Sequence, residues 1–389
     1  MTTFTGGITK NLSPFAGGVT GVAGNGKKVT VTVGGTFDVG DKFNIKLGDQ
    51  NFGYVAKPTA PISFALTLNK KVYAINDTLL IFSAVNDPLN WDTENGIGAG
   101  FINMFNEFTG GEKLRALAAY NGRLAIFARR TIQIWAVDVD PARNQQMQVL
   151  DNIGTIAPRS VTQVGDVDVF FLADSGIRSL RSRDVNNVAF SSDVGNPIDE
   201  IIVKHVRTVG AATAEKAIGI IEPQDGRYWL AIGDKIFVFS HFTGSKIAAW
   251  SVYEPGFTVA NIAVLNGRVW LEASNGDLYL YGGDDNNTYD DCPVSGEIPF
   301  LSCGSPQTMK CFTGFDTIVE GEWTFEIGTN PERPDERDVV GSVWAPSFDM
   351  ARIPINHVGT HFSAKFTRAQ AGYGRLSNMT VHYSANEAG

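Results

Sequence analysis

The stretch Ala119–Ala136, AYNGRLAIFARRTIQIWA, decides the fold. Asn121-Gly122 supplies the positive backbone angles of a tight hairpin turn, because Asn and Gly tolerate them best. Leu124 and Ile126 then alternate along one strand, Ala128 to Arg130 turn the chain again, and Ile132 and Ile134 are expected to return on the face of Leu124 and Ile126. Working outward, the same offsets recur. From Asp225 they give Tyr228, Leu230, Ile236 and Val238, and from Asn69 they give Val72, Ala74, Leu80 and Phe82. From Asn266 they give Val269 and Leu271, with the second pair displaced by one to Leu278 and Leu280 because Ser274-Asn275-Gly276 makes a longer turn. The copy at Asp166 keeps Val169 and Phe171, and its second strand is blurred.

The anchors at 69, 121, 166, 225 and 266 lie 52, 45, 59 and 41 residues apart. A recurring unit of this length, made of short strands, is the mark of a β-propeller, whose blades bury their faces against one another. An ordinary β-sandwich is the alternative, but sandwich strands rarely share a turn and an apolar register across five copies. The expected class is therefore all-β: a β-propeller with an additional C-terminal antiparallel β-sandwich-like lobe and a small N-terminal β segment.

The chain has 389 residues, 43% of them hydrophobic, which is enough for a large core. Its 42 glycines, 25 phenylalanines and many Asn-Gly or Asp-Gly turns favour strands over helices. A net charge of -9 without a Lys/Arg-rich run disfavours tight binding to nucleic-acid phosphates. Cys292, Cys303 and Cys311 form no CxxC and have no histidine at ligand spacing, so free thiols in a reducing compartment are expected, with a zinc site as the lesser reading. No signal-like start and no run of about 20 apolar residues is present, so neither secretion nor a membrane span is expected.

Residues 1–27 are rich in Gly and Thr and read as a flexible N-terminal arm, and residues 28–60 as a small β segment or insertion through KVTVTV and KFNIKL. Residues 61–291 hold the blades. Within them Asn86-Asp87-Pro88 ends a strand before Trp91, and Pro197 opens a short interblade helix near 197–206 with Ile198, Ile201, Ile202 and Val206 on one face. Residues 292–389 read as an antiparallel β lobe packed on the propeller, beginning with two strands joined at Glu320-Gly321.

Candidate chemistry is sparse. Asp284, Asp285, Asp290 and Asp291 offer hard oxygen ligands for calcium, yet their spacing matches no EF-hand loop, so a solvated polar connection is the stronger reading. His205, His241, His357, His361 and His382 are scattered; His357 and His361 are expected on one face of a strand without forming a metal pair. There is no Ser-x-Asp-x-Gly-x-x-Trp box, no Gly-x-Ser-x-Gly elbow, no phosphate-cradling loop and no His-Glu-x-x-His helix, so no catalytic residue, metal or cofactor is assigned. The seven tryptophans are expected to pack between blades more than to stack on sugars or bases. The charged loop 329–338, with Asn330, Glu332, Arg333, Asp335, Glu336 and Arg337, suits a subunit contact as well as it suits a mobile loop.

The succession FSAVNDPLNW, LRALAAYNGRLAIFARRTIQIWAVD, DNIGTIAPRSVTQVGDVDVFFLADSGIRSLR, NPIDEIIVKHV, DGRYWLAIGDKIFVFSH and KIAAWSVYE, running on to LSNMTVHYS, resembles the tail hub or nozzle proteins of short-tailed bacteriophages. That family includes packaged-DNA stabilisation proteins and tail tubular protein B. The resemblance spans roughly residues 60–385 and rests on the order of segments rather than on any single motif. It implies a structural, non-enzymatic virion protein, assembled in the host cytoplasm as a homo-hexameric ring below portal and adaptor. The genome would pass through its lumen without specific binding. A conduit should not adhere to phosphates, so an acidic or neutral lumen is expected. The competing classes are a receptor- or glycan-binding tail-tip propeller and, behind it, a capsule-degrading glycosidase whose carboxylates would come from distant blades.

Overall fold

Asn121 and Gly122 hold left-handed backbone, with φ of 49° and 70°, and so do Asn266 and Gly267, with φ of 53° and 71°. Each pair closes a two-residue hairpin, Tyr120 opposite Arg123 and Leu265 opposite Arg268. In this computed structural model such hairpins build a nearly all-β chain of antiparallel sheets. The structure describes residues 62–385 except 94–96, 106, 108–110, 167, 186–192, 243–246, 286–287, 290, 348–352 and 371. Of residues 1–61 it describes the backbone of five strands, at Ile8–Lys10, Val19–Gly24, Val29–Val33, Lys42–Leu47 and Gln50–Val55. The expected flexible arm over residues 1–27 lies largely outside the described residues.

Two compact units divide the chain, Met1–Tyr281 and Gly282–Gly389. In the first, five up-and-down sheets follow one another. The first holds strands 64–68, 71–76, 79–82 and 100–103, and the second holds 116–120, 123–127, 131–136 and 145–151. The third holds 162–164, 168–173 and 176–179, the fourth 218–221, 228–232, 235–242 and 247–253, and the fifth 259–265, 268–273 and 278–280. The first strand of each sheet lies against the first strand of the next, through all five.

Packing explains that order, because each neighbouring pair of sheets encloses one apolar cluster. Tyr73, Ile75, Leu80 and Phe82 of the first sheet meet Leu117, Leu124, Ile126 and Trp135 of the second. Ala125, Phe127, Ile132 and Ile134 meet Val169 and Phe171 of the third. Phe170, Leu172 and Ile177 meet Tyr228, Leu230 and Phe237 of the fourth, whose Trp229, Ile236 and Val238 meet Ile262, Val269 and Leu271 of the fifth. Strands of the middle sheets are therefore buried on both faces, as 228–232 is at all five residues.

Double burial corrects one expectation. Leu124 pairs with Trp135 and Ile126 with Gln133, whereas Ile132 and Ile134 pair with Phe127 and Ala125. Ile132 and Ile134 thus return on the opposite face from Leu124 and Ile126. The copies obey the same parity, since Leu80 pairs with Ile75 rather than Ala74, and Val238 with Trp229 rather than Leu230. Where both faces are apolar, alternation does not reveal which face a strand takes, and one residue of turn length decides it.

The third sheet has three strands, and a helix stands where its neighbours hold a fourth. After α1 (Leu180–Val185), α2 (Asp199–Val209) packs along strand 176–179, and α3 (Ala211–Ala214) leads to the fourth sheet. Ile198, Ile202 and His205 of the α2 segment are buried, and Ile198 and Ile202 join the cluster between the third and fourth sheets. Ile201, expected on the buried face, is 53% exposed. Positions 198, 202, 205 and 209 follow the helical stripe, and His205 fits there because its Nε2 lies 2.8 Å from the Ile232 carbonyl oxygen.

In the second unit the order of strands is 294–301, 362–368, 323–328, 338–343 in one sheet and 353–359, 310–320, 375–385 in the other. The strands flanking Glu320-Gly321 therefore belong to different sheets, and Gly321, at φ 77°, carries the chain across. Phe312, Phe315 and Val319 from one sheet and Trp323, Phe325, Ile327 and Phe362 from the other form a single cluster.

One group in the first cluster works against stability. The Tyr73 hydroxyl is buried with no partner among the described residues, and burial together with the Asp138 charge pushes its pKa from 10.0 up to about 12. Since the unfolded chain ionises first, stability is expected to fall as pH rises from 10 to 12, by up to about 2 kcal/mol for this group. Tyr73→Phe is expected to remove that slope and to raise neutral stability by about 1 kcal/mol. Urea titrations of both proteins across that pH range provide the check.

Candidate functional site

A recess of about 330 Å³ opens beside the third sheet, lined by Asp168, Phe170, Ser179, Asp193, Pro197 and Phe239 among others. Its two carboxylates sit there because strands 168–173 and 176–179 pair directly and Asp193 begins the turn leading to α2. Burial holds the Asp168 carboxyl above its usual value, against the Ser179 hydroxyl and the Arg181 and Val169 amides that favour its charged form. Those groups donate at 2.7, 3.0 and 2.7 Å respectively. Asp193 accepts from the amides of Ser179 at 2.9 Å and Val194 at 3.1 Å and lies 3.6 Å from Arg178 Nε. Both carboxylates are thus engaged by the chain that positions them, an arrangement that organises backbone rather than activating a water or a sugar.

The same test applies to the other polar constellation. Asp316 receives Ser347 Oγ at 3.1 Å on one oxygen and lies 2.6 Å from His382 Nε2 through the other. A nucleophilic triad needs the imidazole between hydroxyl and carboxylate; here the carboxylate is central and Ser347 is 5% exposed. Ser347 Oγ instead accepts the Thr317 amide at 2.8 Å, tying its loop to strand 310–320.

Among the aspartates weighed for calcium, Asp285 accepts from Thr288 Oγ1 at 3.0 Å and Asp291 from the Gly372 amide at 3.0 Å. Asp284 is described as well, and Asp290 lies outside the described residues. No three His, Cys, Asp or Glu side chains converge among the described residues. His357 ends up 2.7 Å from Asp338, and His361 sits beyond strand 353–359, in the turn before 362–368, so the two do not share a strand face. Cys292, Cys303 and Cys311 are unpaired.

Loop 329–338 divides into two parts. Asn330 caps the Glu332 amide at 3.0 Å and Arg333 pairs with Glu336 at 2.9 Å; with Asp335 these residues are exposed. Arg337 differs from the expectation. Its side chain is 7% exposed, bonded to Glu297 and to Ser363 Oγ and set over the Phe300 ring, so it anchors the loop's base rather than presenting a contact. Tryptophans behave largely as packing groups. Trp229 is fully buried, edge-on to Tyr253 and Tyr281, and Trp250 donates to the Val194 carbonyl at 2.9 Å. Trp344, at 72% exposure, is the departure.

No helix among the described residues is long and apolar enough to cross a membrane. No protein-family description and no curated protein matches the chain. Solved structures match only distantly. PorZ, a surface component of the type-IX secretion system of Porphyromonas gingivalis, is 14% identical over 57% of this chain and 26% of that one, with a TM-score of 0.35. A chain of the mitotic checkpoint complex is 14% identical over 65% and 70%, with a TM-score of 0.37. BamB from Moraxella catarrhalis is 11% identical over 64% and 78%, with a TM-score of 0.30. The chain thus spans about a quarter of the length of the first of these.

Proposed function

We propose that this chain is a structural subunit of a bacteriophage tail, a nozzle or hub protein that forms a homo-hexameric ring below portal and adaptor and retains, then conducts, the genome. The observation that carries the reading is the order of the chain: five meanders whose first strands abut in series, a helix inserted after the third, then a two-sheet unit. We read the five sheets as propeller blades, with their first strands nearest the axis. The resemblance of the segment order to nozzle proteins supplies the assignment. Repeated heterologous contacts then close a ring wide enough for a channel.

Electrostatics supports a conduit. The chain carries a net charge of -9 and no Lys/Arg-rich run. A ring of such chains lacks the clustered cations by which phosphates are held. The engaged carboxylates at Asp168, Asp193 and Asp316 favour a scaffold over a glycosidase. A receptor- or glycan-binding tail-tip role has one observation in its favour, the exposed rings of Trp344 and Tyr373 at 72% and 75%.

Gold-labelled antibody on particles from infected cells, viewed by negative-stain electron microscopy, separates these roles. Label on the tail axis beneath the portal is expected. Label on peripheral fibres, or on no particle, would reject the nozzle reading, and glycan-array binding would then favour the tip role.

A further inference from the structure

Glu320 pairs with Arg375, Trp323 with Val343 and Thr324 with Thr367, so five strand ends of the second unit meet at one end of its two sheets. The links 321–322, 344–347 and 369–374 all leave from there, and the second is tied to the other sheet where the Ser347 amide donates to the Thr317 carbonyl at 3.0 Å. Two of these links carry rings into water. Trp344 is 72% exposed, although Val343 just before it packs on the core, and Tyr373 is 75% exposed. One exposed ring needs no explanation. Two on neighbouring loops at the same end of a sandwich are the usual anchors of a binding surface.

The loop under Tyr373 is braced. Arg368, 6% exposed, donates from Nη2 to the Gly372 and Tyr373 carbonyls at 2.8 and 3.0 Å, while Asp291 accepts the Gly372 amide at 3.0 Å. Gly372 holds φ 86°, and a Cβ at Gly374 would collide with the Arg368 side chain, so the chain closes on the guanidinium beneath the exposed ring. A ring fixed in this way loses little freedom on binding. Glu322 lies between the two rings. The pairing of Trp323 with Val343 sets it opposite Trp344, and a Cβ on its neighbour Gly321 would stand 3.2 Å from the Tyr373 carbonyl oxygen. Gln370 Nε2 donates to Glu322 Oε2, and each of these groups keeps an oxygen that this bond does not use. Next to them Ser295, Thr367, Thr324 and Ser342 run in one row across the sheet, on the face away from Trp323 and Phe325.

We propose that this end of the second unit binds an uncharged glycan, with Trp344 and Tyr373 stacked on the apolar faces of two sugar rings and with Glu322 and Gln370 accepting the hydroxyls between them. A pyranose offers both surfaces at once, a face of C–H groups and a rim of hydroxyls. A protein partner is the poorer fit, because the centre of such an interface is a continuous apolar patch and polar groups separate these rings. A polyanion fits poorly too, since Arg368 is spent on backbone carbonyls and Arg375 lies 3.9 Å from Glu320. The site goes beyond the ring assignment and does not rest on it, so its failure would leave the antibody labelling to decide that question alone.

An array of bacterial oligosaccharides, neutral and anionic, probed with the purified full chain, tests this. Binding to a subset of the neutral members is expected, and Trp344→Ala and Tyr373→Ala are each expected to weaken it at least about tenfold. Trp344→Phe keeps a ring and should retain most of the binding. Phe101→Ala, which removes an exposed ring of the first unit, should leave it unchanged. Both alanine variants sit at exposed positions and are expected to melt with the parent; where one melts lower, the other decides. Binding to no neutral member, or binding unmoved by both alanine variants, would overturn the proposal. Binding confined to anionic members and lost in salt would overturn it too, and would assign the interaction to charge.

Discussion

Arg178→Met is expected to lower the unfolding free energy by about 3 to 5 kcal/mol, among the largest losses a single side chain of the first unit can cause. The guanidinium side chain is 8% exposed and makes four hydrogen bonds. Nη1 donates to the Ile177 carbonyl at 2.7 Å and to Asp199 at 2.6 Å, Nη2 to the Ser175 carbonyl at 2.6 Å, and Nε to Ser175 Oγ at 3.2 Å. Asp193, at 1% side-chain exposure, lies 3.6 Å away. Methionine keeps the aliphatic packing and leaves both carboxylates without their cation, so the loss reports the charge network rather than a cavity. Lysine cannot make the planar fork, and Arg178→Lys is expected to recover little. Asp199 also accepts the Ile177 amide at 3.1 Å, fastening the first turn of α2 to strand 176–179. A side chain at Gly176 has no room there, because a Cβ would stand 1.9 Å from Asp199 Oδ1. Denaturation of Arg178→Met, with hydrogen exchange at 199–209, is the check; helix amides that exchange no faster than before would contradict the account.

Lys310→Met is expected to cost a similar amount, about 3 to 5 kcal/mol, in the second unit. Lys310 is 1% exposed, and its ammonium donates to three backbone carbonyls: Ser305, Thr308 at 3.0 Å and Thr360 at 3.1 Å. Those oxygens come from the turn before strand 310–320 and from the turn after strand 353–359, so one side chain ties two turns to the start of the sheet's central strand. Removing it buries acceptors that have lost their donor, which is costlier than losing a surface bond. Guanidinium titration measures the loss. Unchanged stability would mean that water replaces the ammonium and that the site carries no tension of its own.

Local chemistry was legible in the sequence wherever a residue type answers to one geometry. Asn121-Gly122 and Asn266-Gly267 marked turns because few residues accept positive φ, and the structure places hairpins at both. Asn86-Asp87-Pro88 likewise follows the end of strand 79–82. What depended on distant neighbours was not legible. The face taken by Ile132 and Ile134 follows from burial on both sides, which erases alternation. The exchange of Ile201 for His205 depends on the Ile232 carbonyl, in another sheet, waiting beside the helix. The two strands around Glu320-Gly321 were readable as strands, but their membership of separate sheets is a property of strands 362–368 and 375–385, which arrive later. Arg337 looks from its neighbours like one more charge in an exposed loop; only Glu297, Ser363 and Phe300 reveal it as an anchor.

Cryo-electron microscopy of phage tails carrying this protein tests the central claim most directly. The account predicts six copies around the tail axis beneath the portal, each with the five-sheet unit and the two-sheet unit, enclosing a channel whose wall is neutral or acidic. Absence of the chain from that axis, or a channel lined continuously by Lys and Arg, would contradict it.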